Sequence, residues 1–333
     1  MSEDYLSRPH DALFKHVFSQ AEPAEGELKA ALPAEVSKHI DWGTLFAVDG
    51  TVVDRELRDT ESDLIFEVEL RGRPAWLYVL LEHQSEPDPM MAYRLLRYMV
   101  RLWERWRRDH AEAGRLPAIL PVVMHHGRAG WRVARSFHEQ LDVPPDVLPD
   151  LAAYLPSFSY VVDDLSDHAV EDLQERAMVA AAKLALICLK RARDTDDMLG
   201  ELRRVEALVT EVLAASNGVD AFAAVVSYVL SVTEVESEDL RAFAQRLGPR
   251  GTEAYMTGAQ QLIQKGREEG LQEGLQEGRV AEAVEAVRRV LAARSLQLSE
   301  VGERRLSGTT DLEELRRLHE RAVVVEAADD IFS

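Results

Sequence analysis

The chain has 333 residues, 46% of them hydrophobic and 29% charged, which excludes both a small disulfide-stapled module and an extended disordered chain. Its 59 acidic residues outnumber 39 basic ones for a net charge of −20. That excludes nucleic-acid or anionic-membrane binding through bulk charge, so any nucleic-acid contact must be local.

From Pro9 onward, Leu13, Phe14, Val17 and Phe18 recur at helical spacing, an amphipathic first helix opened by the proline. A polar, Ala-rich stretch follows, and then three segments rich in strand-favouring residues: GTLFAVDGTVV (43–53), SDLIFEVEL (62–70) and AWLYVLLEHQ (75–84). The last two read as a hairpin around Arg71-Gly72-Arg73-Pro74. Residues 90–110 form a strong helix, and PAILPVVM (117–124) reads as a buried strand ending at His125-His126-Gly127. This order defines an α/β domain over 1–140, followed by an all-α domain over 141–257. Cys188, the single cysteine, lies in AAKLALICLKRAR, reads as the buried stripe of a helix and fits a reducing compartment. Residues 258–333 form a helical segment with glycines at 266, 270, 274 and 278, closing on an acidic tail. Each helix-interior glycine costs about 1 kcal/mol relative to alanine, so the repeat reads as a self-association element that makes the chain a homo-oligomer, or as a flexible linker. The N-terminus carries early acids and no continuous apolar stretch, and no long uncharged apolar run occurs elsewhere, so a cytoplasmic protein with no membrane partner is expected.

If residues 71–74 form the turn, Leu70 faces Ala75 and Asp63 lies opposite Glu82 on one sheet face. Gln84 then shares that face and His83 points to the other. Two carboxylates with an amide two residues beyond suit a hard divalent ion, Mg²⁺ or Mn²⁺. Such an ion would relieve the like-charge repulsion and stabilise a phosphodiester under attack. The alternatives are two acids at a solvated strand end, or acids paired to arginines.

The segments PHDALFKHVFS, SDLIFEVEL, WLYVLLEHQSEPDPMMAYRLLRYMVRLW and LPVVMHHG occur in this order over residues 8–135. They resemble the Rpn family of recombination-promoting nucleases, within the PD-(D/E)xK nuclease superfamily. The resemblance implies an α/β restriction-endonuclease-like core, with a central mixed sheet flanked by helices, ahead of the all-α region read from periodicity. It implies a metal-dependent DNA endonuclease linked to recombination or mobile DNA, with Asp63 and Glu82 as metal ligands and catalytic acids. By the same resemblance Gln84 is catalytic and the His83 backbone carbonyl is a further ligand. Gln84 stands where the superfamily has lysine, and an amide can orient water or phosphate but brings no positive charge. The HDxxFK motif implies accessory roles for Asp11 and Lys15, which could equally form an i,i+4 surface pair. The alternative function is a catalytically weak or inactive nuclease-fold protein acting as a DNA-binding or assembly scaffold.

Residues 89–135 hold ten arginines against three acids, a local excess of seven positive charges in an acidic chain. On the 90–110 helix, Arg94, Arg97, Arg101, Arg105 and Arg108 share one arc, opposite Leu95, Met99, Leu102 and Trp106. This strip suits contacts to DNA phosphates, although charge runs are also ordinary solvated faces. His125 and His126, adjacent on a strand, point to opposite faces and make a poor zinc chelate; one should be buried and bonded while the other borders the cleft.

Overall fold

The computed structural model describes residues 9–48, 63–82, 87–192 and 194–332. The last residues of the strand expected over 43–53 and the His83-Gln84 pair lie outside them. In chain order the elements begin with α1 (Pro9–Phe18), α2 (Ala21–Ala31), α3 (Ala34–Ser37), β1 (Ile40–Val48), β2 (Asp63–Leu70) and β3 (Pro74–Glu82). Then come α4 (Met91–Asp109), β4 (Ala118–His125), α5 (Leu148–Leu151), β5 (Val161–Asp164), α6 (Val170–Glu175) and α7 (Ala180–Arg191). The helices α8 (Met198–Arg204), α9 (Glu206–Ala214), α10 (Gly218–Val232), α11 (Ser237–Arg246), α12 (Pro249–Ala293), α13 (Glu300–Gly308) and α14 (Leu312–Ala322) complete the chain.

The five strands form one mixed sheet in the order β1-β2-β3-β4-β5, antiparallel from β1 to β3 and parallel from β3 to β5. β3 lies at its centre and is buried from Ala75 to Glu82, which is why AWLYVLL reads as a continuous apolar run instead of an alternation. Tyr78 and Leu80 pack with Met91, Leu95, Tyr98 and Leu102 of α4. Leu77, Val79 and Leu81 belong to the opposite core with Leu13 and Phe14 of α1 and Leu184 to Leu189 of α7. This is the expected architecture, a mixed sheet flanked by helices with a helical region after it, consistent with a PD-(D/E)xK-like fold. Cys188 is fully buried in α7, and burial pushes its thiol up to about 12.

The hairpin corrects the expected register. Leu70 and Arg73 exchange both backbone hydrogen bonds, at 2.8 and 3.2 Å, so the loop is the two residues Arg71 and Gly72, with φ of 50° and 78°. Both lie in the left-handed region, as a two-residue hairpin loop matching the strand twist requires. Pro74 is the first residue of β3 and not the end of the turn, a position where its missing N–H removes nothing essential. Asp63 therefore faces Leu80, two residues short of the expected Glu82. A slip of two preserves parity, so Asp63 and Glu82 still share a face, now as diagonal neighbours.

The described chain forms two compact units, through Leu262 and from Ile263 onward. The limit expected near residue 140 is absent: β5 follows it, and the sheet and helices α7, α9 and α10 share one core. Near the start of α12, Gly258 permits close packing on α10, since a Cβ there would lie 2.4 Å from the Ala223 carbonyl oxygen. Gly266, Gly270, Gly274 and Gly278 have open space instead. In the second unit Val287, Leu306, Leu315 and Ile331 form a small core, and Ser299 and Asp311 cap α13 and α14. The expected acidic tail is folded: Asp329 accepts from the Ser299 hydroxyl at 3.0 Å, and Ile331 is 1% exposed.

Candidate active site

The site lies where β2 begins and β3 ends. Asp63 is the first residue of β2 and Glu82 the last of β3, only 2% exposed. Diagonal neighbours on an antiparallel pair stand about 7–8 Å apart at Cα, against about 4.5–5.5 Å for a direct pair, which leaves room for a cation between the carboxylates. A cation from the protein already serves them. Arg94, on the first turn of α4, places Nη1 3.3 Å from Glu82 Oε2 and donates from Nε to the Tyr98 hydroxyl, also at 3.3 Å. Burial works against the guanidinium's charge, but Tyr98 and the nearby Glu82 and Asp63 outweigh it and hold its pKa above the ordinary value. Tyr78 lies beneath: its hydroxyl donates to Asp63 Oδ2 at 2.5 Å, and its ring is 5.5 Å from that of Tyr98. Burial first, and then the charge of Asp63, raise the Tyr78 pKa well above its usual value, so it acts as a neutral donor.

The expected arginine strip divides. Arg94 turns to Glu82, and Arg105 lies 3.7 Å from Asp109. Arg101 is half-buried, while Arg97 and Arg108 are exposed. The reason is angular: Arg94, Arg101 and Arg105 flank the buried stripe of α4, whereas Arg97 and Arg108 are rotated farther toward solvent. The five are not one free phosphate-binding surface.

His125 pairs in register with Glu82 and shares its face, and its Nε2 meets the Ala129 carbonyl at 2.9 Å. The ring of His126 lies 4.8 Å from that of His10, whose Nδ1 is 2.8 Å from the Tyr228 hydroxyl of α10. His125 and His126 are both buried, at 0% and 2% exposure, which corrects the expectation that one borders a cleft. By parity His126 occupies the sheet face opposite Glu82. This places the start of α1 at the same end of the sheet on the other side, with Asp11 buried and Lys15 half-buried; Asp11 is not a surface pair partner. Gln84 and the His83 carbonyl lie outside the described residues.

Tyr78 and Tyr98 escaped the sequence reading because each sits in an apolar run where an aromatic ring reads as core. The period-two relation of Tyr78 to Leu80 and Glu82 carried the usable signal. Among the described residues no three His, Cys, Asp or Glu side chains could hold a metal ion by themselves. Two carboxylates nevertheless fit Mg²⁺, which commonly takes one or two from protein and fills its other positions with water and phosphate. The guanidinium held against Glu82 shows that the site accommodates positive charge.

The model of the family described as "Putative transposase, YhgA-like" matches residues 8–219. The chain belongs to this YhgA-like family. Among curated proteins it is 29% identical over 263 residues to recombination-promoting nuclease RpnC of Escherichia coli (strain K12), covering 78% of the chain and 82% of the relative. It is 26% identical over 272 residues to recombination-promoting nuclease RpnA of the same strain, covering 80% and 88%. A third relative, 26% identical over 273 residues and covering 80% and 86%, is named inactive recombination-promoting nuclease-like protein RpnE. No solved structure gave a significant match. The YhgA-like match spans all five strands and helices α1 to α9, and so contains the whole carboxylate site. No described helix is long and apolar enough to cross a membrane.

Proposed function

We propose that the chain is a divalent-metal-dependent DNA endonuclease that serves recombination or mobile DNA. The observation carrying this reading is the co-facial pair Asp63 and Glu82 around Arg94, at the meeting of β2 and β3. Held by these carboxylates, Mg²⁺ or Mn²⁺ would acidify a water and offset the negative charge that develops on the phosphate oxygens as phosphorus is attacked. Asp63 is oriented for this by Tyr78, and Glu82 is held by its position at the end of a buried strand. By the family resemblance, Gln84 would orient water or phosphate and the His83 carbonyl would be a further ligand. Asp11 and Lys15, expected as accessory groups, lie across the sheet from these carboxylates and take no part in this reading. Arg97 and Arg108 hold the DNA backbone without reading bases, so cleavage has modest sequence preference. Water adds to phosphorus and one phosphorus–oxygen ester bond breaks, leaving a phosphate monoester end and a hydroxyl end.

The test is plasmid nicking with Mg²⁺, Mn²⁺ or EDTA by the natural chain, Asp63→Ala and Glu82→Ala. Loss in EDTA and in both variants, by about a hundredfold or more, is expected; metal-dependent nicking that persists in both variants would remove the assigned site. The second reading, an inactive scaffold, draws on the relative named inactive and on the exposed stripe of α12. There Ile263, Leu271 and Leu275 are 68%, 65% and 56% exposed beside the open glycines. Self-association through this stripe is compatible with either reading. Leu271→Gln with Leu275→Gln in the full chain should lower the mass measured by light scattering, and an unchanged mass counts against it.

A further inference from the structure

The sequence puts an amide, Gln84, two residues beyond Glu82, and the structure brings a positive charge to Glu82 from a helix. The resemblance to the PD-(D/E)xK superfamily would put a lysine where the sequence has Gln84. Arg94 enters from α4, anchored on one side by Tyr98, over whose ring its guanidinium carbon lies 5.9 Å from the centroid. Its link to Glu82, at 3.3 Å, is at the long end of the hydrogen-bond range. The Arg94 side chain is 24% exposed and that of Glu82 3%, so the arginine borders solvent while the acid does not. A guanidinium has five donors in a planar fork that matches phosphate oxygens. With Nε engaged by Tyr98 and Nη1 by Glu82, the remaining donors offer a fork to a phosphate brought against the carboxylates.

We propose that Arg94 supplies from α4 the positive charge that the amide of Gln84 cannot supply. It neutralises Glu82 and Asp63 while they hold no ion, and turns to the phosphate of bound DNA as they take up a divalent cation. This rests on the endonuclease reading and adds a consequence that reading lacks. Arg94 and the divalent cation compete for Glu82, so loss of the arginine should tighten cation binding while it impairs cleavage. An arginine that only packs would weaken both, and one that only contacts phosphate would leave cation binding unchanged.

The experiment measures Mn²⁺ binding to the full chain without DNA by electron paramagnetic resonance, alongside thermal melting with and without Mn²⁺ and plasmid nicking. For Arg94→Gln we expect Mn²⁺ affinity to rise about tenfold and the Mn²⁺-induced rise in melting temperature to exceed that of the natural chain. Nicking should fall about a hundredfold. Mn²⁺ affinity equal to or below the natural value in a cooperatively melting Arg94→Gln protein overturns the proposal. Should that variant fail to fold, Arg94→Lys carries the test: near-natural Mn²⁺ affinity with nicking reduced about tenfold supports a charge role, and loss of both overturns it. Glu82→Ala separates the two levels. Mn²⁺ binding that Glu82→Ala abolishes but Arg94→Gln leaves unchanged defeats only the role of Arg94, whereas binding indifferent to Glu82→Ala defeats the metal site and, with it, this proposal.

Discussion

Tyr78 and Asp63 are joined across adjacent strands by a hydrogen bond of 2.5 Å from the phenol to Oδ2. Leu80 faces Asp63 in the ladder, and Tyr78 lies two residues before it on the same face, so the side chain reaches back along the pleat to the carboxylate. Tyr78→Phe keeps the ring and deletes the donor. We expect a stability loss of about 2 kcal/mol, as for a hydrogen bond to a charged group. Metal-dependent nicking should fall about tenfold to a hundredfold, as when a group that orients a metal ligand is removed. Urea unfolding and nicking assays check the two effects, and natural nicking in a destabilised variant would reduce Tyr78 to a packing residue.

The hairpin offers a prediction without any chemistry. Arg71 has φ of 50°, where a side chain with a Cβ is strained, and it precedes Gly72 at φ of 78°. Asn-Gly is the preferred pair for such a loop, so Arg71→Asn should stabilise the protein by about 0.5–1 kcal/mol. Gly72→Ala should destabilise it by about 1 kcal/mol. Denaturant midpoints that move in the opposite directions would show that the loop is not of this type.

The same turn shows how far the sequence could be read. Strand alternation has period two, so the shared face of Asp63 and Glu82 was legible whichever even register the turn selected. The register itself depended on whether Pro74 ended the turn or opened β3, and proline is compatible with both. β5 was missed because four residues, VVDD, with two acids do not look like a strand until Asp163 and Asp164 find partners. Those partners, Arg176 and the Trp131 amide, are distant in sequence. The arginine strip failed for a related reason: periodicity gives the angle of a side chain around a helix, but not which neighbour claims a long one at the edge of the buried face.

Arg176 also presents a pH test. It donates two hydrogen bonds to Asp163 and one to Glu27, each at 2.8 Å, with both acids buried. Burial opposes the charge of Asp163, but hydrogen bonds from His168 and Arg176 outweigh it and hold its pKa below the usual range. Burial, and then the charge of Asp163, push Glu27 well above that range. A raised carboxyl contributes stability that is full below its unfolded value, about 4.3, and is lost as pH rises through its folded value. Asp163 acts oppositely, losing its contribution only as pH falls below the ordinary carboxylate range. Glu27→Gln should therefore flatten the decline in stability from about pH 5 toward alkaline pH and raise stability at neutral pH by about 1 kcal/mol. Urea titrations of both chains across that range check this, and parallel curves would show that Glu27 is ionised in the fold at all these values.

The division of α4 finally separates two kinds of arginine by their response to salt. Arg97 and Arg108 are exposed, so on the endonuclease reading they would neutralise phosphates and release counterions. Arg97→Gln with Arg108→Gln should weaken binding about equally for unrelated DNA sequences and lower the slope of log affinity against log salt by about two, roughly one for each phosphate left without its arginine. Arg94→Gln removes a charge partly committed to Glu82 in the free protein, so its slope should change by less than one. Fluorescence anisotropy over a salt series, in the presence of EDTA to prevent cleavage, measures both. A double variant with the natural slope would place the DNA backbone on another surface, and a larger slope change for Arg94→Gln than for the double variant would make Arg94 the principal phosphate ligand before any metal binds.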